Sequence, residues 1–379
     1  MAAEKIHIEQ FLELAKQHPV IDVRSPEEYN HAHIPGVHSL PLFTDEERKV
    51  VGTAYKQQNR EQAIKIGLDY FGPKMRKIME AVETVCSQQL AVNLSNQTKL
   101  PTANCVLVYC WRGGMRSGAV SWLLDMYGFK VYTLTGGYKK FRNYVLNIFK
   151  EPFKFKILGG YTGSGKTVLL KELERKGERV VDLEEIANHK GSAFGNIGLP
   201  KQPTQEMFEN ILAITLRKKM ADDCLPIAVK TDNGHPSPVN TIWLEDESQR
   251  IGHVNIPKDL WQNMRQSPVF FLDIPFEERL NYLVEEYGTL DRQQMTDAIG
   301  RIKEKLGNLN AKNTTQFLEE GNTTESFRIL LKYYDKFYLK ALHNRQGINS
   351  LLHSIECKSV TPENASQLVT QSQYQQQKN

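Results

Sequence analysis

The string GYTGSGKT, Gly160 to Thr167, constrains this chain more than any other. It fits G-x-x-x-x-G-K-[ST] at every fixed position, follows the apolar run FKIL, and leads into a helical pattern carried by Val168, Leu169, Leu170 and Leu173. Glycines in such a turn let successive backbone N–H groups face one anion, the lysine adds a point charge, and the hydroxyl can ligate Mg²⁺. Gly160, Gly163, Ser164, Gly165, Lys166 and Thr167 are therefore the expected phosphate-binding residues. A strand, a glycine-rich turn and a helix in that order belong to an α/β architecture.

Further strand-like runs follow at RVVDLE (Arg179 to Glu184), NTIWLEDE (Asn240 to Glu247) and VFFLDIP (Val269 to Pro275). Apolar strands separated by helix-length stretches predict a mostly parallel sheet covered on both faces. Asp182, Glu245, Asp246, Glu247 and Asp273 lie at strand ends, where a carboxylate serving Mg²⁺ would sit; each reads equally as a solvated residue or a helix cap. No metal ligand set is assigned. After Phe276 the chain reads as helical to about residue 345. TPENASQLV predicts a short terminal helix, and the Gln-rich QSQYQQQKN a frayed tail.

The first half shows the same alternation. PVIDVR, NCVLVYC and KVYTLTGG read as strands, the last two flanking a helix with Ala119, Val120, Leu123, Leu124 and Tyr127 on one face, which is a βαβ unit. Ala91 to Asn104 reads as a surface loop. A proline follows a helical stretch near Lys150, so the expected division is 1–150, 151–360 with a helical extension, and 361–379 as short helix and tail. For 379 residues, two domains is also what length suggests at roughly 100 to 200 residues per domain.

VYCWRGGMRSG, Val108 to Gly118, carries the second piece of chemistry. A strand ends at Cys110, a helix begins near Ser117, and Gly113 and Gly114 allow the turn to aim its N–H groups inward. A thiolate above such a concavity, with Arg112 or Arg116 nearby, is stabilised and nucleophilic. The plain alternative for Cys110 is a buried structural cysteine, the role left to Cys86, Cys105, Cys224 and Cys357. Five scattered cysteines without a Cys-x-x-Cys pair argue against a disulfide framework or zinc knuckle and favour a reducing compartment. No signal peptide or membrane-length apolar run is evident, so the expected location is cytoplasmic, without a membrane partner.

The cysteine loop, together with IDVRSPEEYNHAHIPG (Ile21 to Gly36), resembles a rhodanese domain, with Ala32 where rhodaneses usually carry glycine. That resemblance implies chalcogen transfer on Cys110. Cys-x5-Arg is also the spacing of a phosphatase loop, so an aryl phosphatase or a simple sulfurtransferase with a nucleotide-binding regulatory domain competes. PFEERLNYLVEEYG (Pro275 to Gly288) resembles the segment preceding the lid of nucleotide kinases.

The two loops in this order, with VGTAYKQQ, HKGSAFG, WLEDESQRIG and YYDKFY, resemble the tRNA 2-selenouridine synthase family over nearly the whole chain. The implied fold is an N-terminal rhodanese-like domain followed by a P-loop NTPase-like parallel-sheet domain. The implied reaction replaces sulfur by selenium in 2-thiouridine at the tRNA wobble position, with selenophosphate as donor. A geranyl group from geranyl diphosphate would first be placed on that sulfur. Cys110 would carry selenium, Arg112 and Arg116 would hold the anionic donor, and the phosphate loop would hold a nucleotide or the prenyl diphosphate, with or without Mg²⁺. Gly67 matches a family position linked to the geranyl step, although alone it reads as a helix-ending glycine. Implied partners are tRNA, through a 2-thiouridine anticodon loop, and a selenophosphate-producing enzyme.

A net charge of only +4 excludes bulk electrostatic binding of a polyanion. Expected contacts are local: KMRK (Lys74 to Lys77), RKK (Arg217 to Lys219) and, chiefly, YKKFRNY with Lys139, Lys140 and Arg142, whose aromatics could stack on unpaired bases. A non-catalytic nucleic-acid adaptor is the remaining alternative.

Overall fold

The computed structural model describes residues 3–95, 104–221 and 241–376. It divides into two compact units, Met1–Ile148 and Phe149–Asn379. Cys224 lies outside the described residues, as do positions 96–103 of the expected surface loop.

The first unit is built on a parallel sheet of β1 (Glu4–Ile6), β2 (Val20–Asp22), β3 (His38–Ser39), β4 (Cys105–Tyr109) and β5 (Lys130–Leu134), in the order β1-β5-β4-β2-β3. β4 is buried along its whole length, as its unbroken apolar run requires; Leu107 pairs with Val20 on one side and Tyr132 on the other. The helix Met115–Tyr127 packs Val120, Leu123 and Leu124 into the core and ends at Gly128, whose φ of +108° suits glycine.

Three helices, Asp45–Gln57, Arg60–Phe71 and Met75–Ser95, fill the connection from β3 to β4. The last extends through Ala91–Ser95, where the polar composition predicts a loop. Ile78, Val82 and Val85 repeat at helical spacing against the sheet core and carry the helix into that polar segment.

The second unit holds β6 (Lys154–Gly160), β7 (Arg179–Val180), β8 (Thr241–Glu245), a small antiparallel hairpin of β9 (Arg250–Ile251) and β10 (Val254–Asn255), β11 (Val269–Asp273) and β12 (Leu352–Glu356). Its main sheet has the order β12-β11-β6-β8-β7 with every pair parallel. β6 is central, with Leu158 opposite Glu245 and Gly160 opposite Leu272. Helices Phe276–Tyr287, Arg292–Leu306, Asn308–Glu319 and Thr323–His343 close over a separate core that includes Leu280, Ile299, Leu318 and Phe327. Among the described residues no helix is long and apolar enough to cross a membrane.

One element is added here and one reading corrected. β12 follows the stretch expected to be helical to about residue 345 and is a strand that no sequence pattern marks, because its LHSIE sequence offers few β-branched residues and gains its place by pairing with β11. The expected frayed tail is helical through Gln376, in the helix Asn364–Gln376. Ala365 and Leu368 are fully buried in the sheet's core cluster, and Ser372 accepts from the buried Lys156 Nζ at 3.0 Å. Leu368→Ala should therefore lower the unfolding free energy by about 2–4 kcal/mol in urea titration; a terminal helix that did not pack on the sheet would show no change.

Candidate active sites of the two units

At the end of β4 the chain turns through Cys110–Gly114 into the helix Met115–Tyr127. Cys110 is buried, with Sγ 3.2 Å from Ser117 Oγ. The turn after β5 braces the loop: Tyr138 N–H donates to Cys110 O at 2.9 Å and Lys139 N–H to Trp111 O at 3.0 Å. Gly137 makes that approach possible. Its φ is +59°, and a Cβ there would lie 2.2 Å from Cys110 O.

The two loop arginines separate. Arg112 is exposed. Arg116 is turned onto Glu28, with Nη1 to Oε2 at 2.5 Å and Nη2 to Oε1 at 3.2 Å, and Arg48 Nε joins the same carboxylate at 2.9 Å. Burial alone would raise the Glu28 carboxyl, but Arg116, the Ser25 N–H and Arg48 hold it below its usual range. Beneath the loop, Arg24 pairs with Asp22 at 2.6 Å, both fully buried, and Tyr109 donates to the same carboxylate at 2.7 Å. Ala32 is extended, with φ −168°, so alanine fits where the resemblance expects glycine, and its carbonyl accepts from Arg24 Nη2 at 2.7 Å.

Gly67 is not a helix end. It is buried in the middle of Arg60–Phe71, where a Cβ would touch the Phe43 ring at 3.5 Å. Of the basic stretches, Lys139 and Lys140 are exposed and Arg142 is half-buried. Of the aromatics in YKKFRNY, Tyr138 and Phe141 do not face solvent as expected: both are fully buried, because the helix Gly137–Ile148 is amphipathic and spends them on the core, while Tyr144 is half-buried. Lys74 pairs with Glu47, Arg217 with Glu151 and Lys219 with Glu174, so these cations are locally neutralised.

In the second unit, β6 delivers Gly160–Gly165 to the N-terminus of the helix Lys166–Arg175. Gly160, Gly163 and Gly165 all have positive φ, so the turn depends on glycine at each. Lys166 Nζ donates to Gly160 O at 3.0 Å, and Ser164 Oγ to Tyr161 O at 2.6 Å.

The strand-end acids take different places. Asp182 caps the helix Leu183–Ala187, accepting from Glu185 N at 2.8 Å. Asp246 accepts from Tyr338 OH at 2.9 Å and Arg345 Nη2 at 2.5 Å. Asp273 is exposed at the end of β11. Glu245 is buried and accepts from Glu184 N at 2.8 Å with Oε1, while its Oε2 has no hydrogen-bond partner among the described residues. Glu247 hydrogen-bonds Glu184, which lies 3.4 Å from Thr167 Oγ1. Burial first, then mutual repulsion, raises Glu245 and Glu247 well above the carboxylate range and also raises Glu184, with Lys166 opposing the rise at Glu184 and Glu247. Among the described residues, no three His, Cys, Asp or Glu side chains are arranged to hold a metal by themselves.

Sequence reading missed Glu184, Tyr338, Arg279 and Arg345. Glu184 stands at the end of the RVVDLE run, but its approach to Thr167 needs the chain to leave the strand at Val180. Tyr338 belongs to the quoted YYDKFY, whose Asp335 takes both Arg279 Nη atoms at 2.9 and 2.8 Å while Arg279 Nη1 also donates to Thr162 O. Tyr338 OH in turn accepts from Gly160 N at 3.1 Å.

The phosphate loop opens into a cavity of about 640 Å³. Gly163–Thr167, Glu184 and Glu247 form one end, and Phe194, Phe327, Leu330, Leu331 and Tyr334 form an apolar wall. Phe327, Leu330, Leu331 and Tyr334 recur at helical spacing along Thr323–His343, which continues to Tyr338 beside Gly160, whereas Phe194 comes from the turns after the helix Leu183–Ala187. Eleven residues separate Tyr338 from Phe327, about 16 Å along the helix axis.

Comparison with known proteins matches residues 7–144 to the rhodanese-like domain model and residues 153–356 to the model described as the tRNA 2-selenouridine synthase AAA domain. The chain is similar over most of its length to proteins named tRNA 2-selenouridine synthase. The one from Hydrogenovibrio crunogenus is 36% identical, covering 87% of this chain and 91% of the relative. Those from Sulfurovum sp. and Serratia proteamaculans are 33% and 34% identical, each covering 84% of this chain and 87% and 86% of the relative.

A raised folded-state carboxyl favours the protonated form, so its stabilising contribution is complete below the unfolded value of about 4.3 and is lost as pH rises through the folded one. Glu245→Gln mimics the protonated side chain and keeps the acceptor for Glu184 N. The variant's stability relative to the parent should grow between pH 4 and pH 8 in thermal melts; a difference that stays flat with pH would contradict the buried-acid assignment.

Proposed function

The chain belongs to the tRNA 2-selenouridine synthase family, and from that premise we infer that it is a transferase placing selenium in tRNA. In detail, the proposed reaction replaces the sulfur of a wobble 2-thiouridine by selenium through a geranylated intermediate. Geranyl diphosphate and selenophosphate are the co-substrates, the latter supplied by a selenophosphate-producing enzyme.

The observation that supports the geranyl step is the continuity of phosphate loop and apolar wall in one cavity. A nucleoside triphosphate would bring a polar ribose and base to Phe327, Leu330 and Leu331. A prenyl diphosphate would bring only hydrocarbon, worth about 0.8 kcal/mol for each methylene taken from water. The extended chain of geranyl is shorter than the roughly 16 Å between Tyr338 and Phe327, so it fits along that wall.

In this reading the thiocarbonyl sulfur attacks C1 of the donor and the C–O bond breaks. Its electron pair leaves with diphosphate, which the loop N–H groups and Lys166 stabilise. Mg²⁺, if it accompanies the diphosphate, would find oxygen donors in Thr167 and Glu184 and would neutralise the leaving group. The Cys110 thiolate then adds to C2 of the base and the geranylated sulfur departs as a thiolate; the selenium of selenophosphate next adds to C2 and releases the Cys110 thiolate, and water cleaves the Se–P bond to leave phosphate and 2-selenouridine. The exposed Arg112 and the Gly113–Gly114 turn attract the anionic selenium donor, while Arg116 stays on Glu28 and holds the loop in place. That clamp also disfavours a phosphatase, which needs the arginine of Cys-x5-Arg turned onto the phosphoryl group.

The two chemical steps reside on different loops and should separate by mutation. Incubated with 2-thiouridine tRNA, geranyl diphosphate and selenophosphate, the unaltered chain should yield 2-selenouridine on nucleoside mass spectrometry. Cys110→Ser should accumulate the S-geranyl nucleoside, with selenation lowered at least about 10²-fold, the scale of losing a nucleophile. Lys166→Ala should lose geranylation itself. Absence of both products with the unaltered chain contradicts the reaction proposed.

A further inference from the structure

The loop that carries Cys110 also displays an aromatic face that anion binding does not use. Trp111 follows the nucleophile directly and is 37% exposed, whereas Tyr109 and Cys110 before it are buried. Its ring is supported from behind. Tyr138 lies 5.6 Å away at 38°, and the guanidinium of Arg24 stands 5.9 Å from the indole and 4.0 Å over Tyr138. Arg24 is fixed by its buried pair with Asp22, and Trp111 O is fixed by Lys139 N–H, so indole and backbone are both held. Met115, 48% exposed, adds a second apolar group across the turn.

A small anionic donor is recognised by N–H groups and arginine and gains nothing from an exposed indole. An acceptor base is different. It must leave its stack and present C2 to the Cys110 sulfur, and single-stranded bases are held in such positions by stacking on aromatic faces. A base within bonding reach of Cys110 is also within reach of the adjacent residue in the loop. We propose that Trp111 is a nucleobase subsite that stacks the extruded uridine over Cys110. The aromatics first expected to stack, Tyr138 and Phe141, are the buried support of this face and not the face itself. The inference rests on the tRNA reading of the previous subsection.

The test uses the full chain, a 2-thiouridine anticodon stem–loop RNA, geranyl diphosphate and selenophosphate, with 2-selenouridine as the readout. Trp111→Ala should raise KM for the RNA roughly 5- to 150-fold, the range for loss of one stacked base, with a smaller change in kcat because stacking precedes chemistry. Trp111→Phe should recover most of the loss. Trp111→Leu keeps apolar bulk without the π face and should behave like alanine, which separates stacking from mere packing should the alanine variant fold poorly. With the unaltered chain active, a KM within twofold for Trp111→Leu, or a phenylalanine variant as impaired as alanine, overturns the subsite alone. No product from the unaltered chain overturns the selenation reading and the subsite with it.

Discussion

Parallel pairing is the constraint on which both units depend. In a parallel sheet every strand ends on the same edge, so groups far apart in sequence meet there. In the second unit this edge collects the Gly160–Gly165 turn from β6, Glu245–Glu247 from β8 and Glu184 from just beyond β7. In the first it sets the Cys110 turn after β4 beside Gly136–Tyr138 after β5 and Arg24 after β2. Central strands deliver both turns: β4 lies between β5 and β2, and β6 between β11 and β8. The fold thus makes two glycine-containing turns by one device and gives each a different neighbour.

Those neighbours set what each turn can do. Around Cys110 the surrounding charge is largely spent internally, Arg24 on Asp22 and Arg116 on Glu28, leaving Arg112 and the indole of Trp111 as the exposed groups. Around Lys166 the surplus is acidic and buried, and its carboxyls keep protons more tightly than free acids do. Lys166 offsets part of that rise at Glu184 and Glu247. In the proposed reaction the apolar wall of the same cavity distinguishes ligands by the group attached to the phosphate, so that a glycine-rich loop of this kind serves a prenyl donor.

Much of this was legible in the sequence because backbone-driven features leave local marks. GYTGSGKT and the Cys110 turn are read directly, since glycine is needed at Gly163, Gly165 and Gly113 for their positive φ. The helical extension after Phe276 is likewise visible from periodicity. Features made by distant pairing were hidden. Glu184 and Tyr338 reach the phosphate loop only through tertiary contact. β12 forms because β11 offers it an edge, and the expected terminal helix continues through the Gln-rich segment to Gln376, where Ser372 meets the buried Lys156. Periodicity also decided against one expectation: Tyr138 and Phe141 read as base-stacking aromatics when taken as composition, and as core when taken at helical spacing.

The central claim is that the phosphate loop and the apolar wall act as one site for a prenyl diphosphate. Isothermal titration calorimetry of the full chain with geranyl diphosphate, inorganic diphosphate and ATP addresses it directly. The account predicts that geranyl diphosphate binds at least tenfold more tightly than diphosphate, with a negative heat-capacity change from apolar burial. Equal affinity for geranyl diphosphate and diphosphate, or tighter binding of ATP than of geranyl diphosphate, would contradict it.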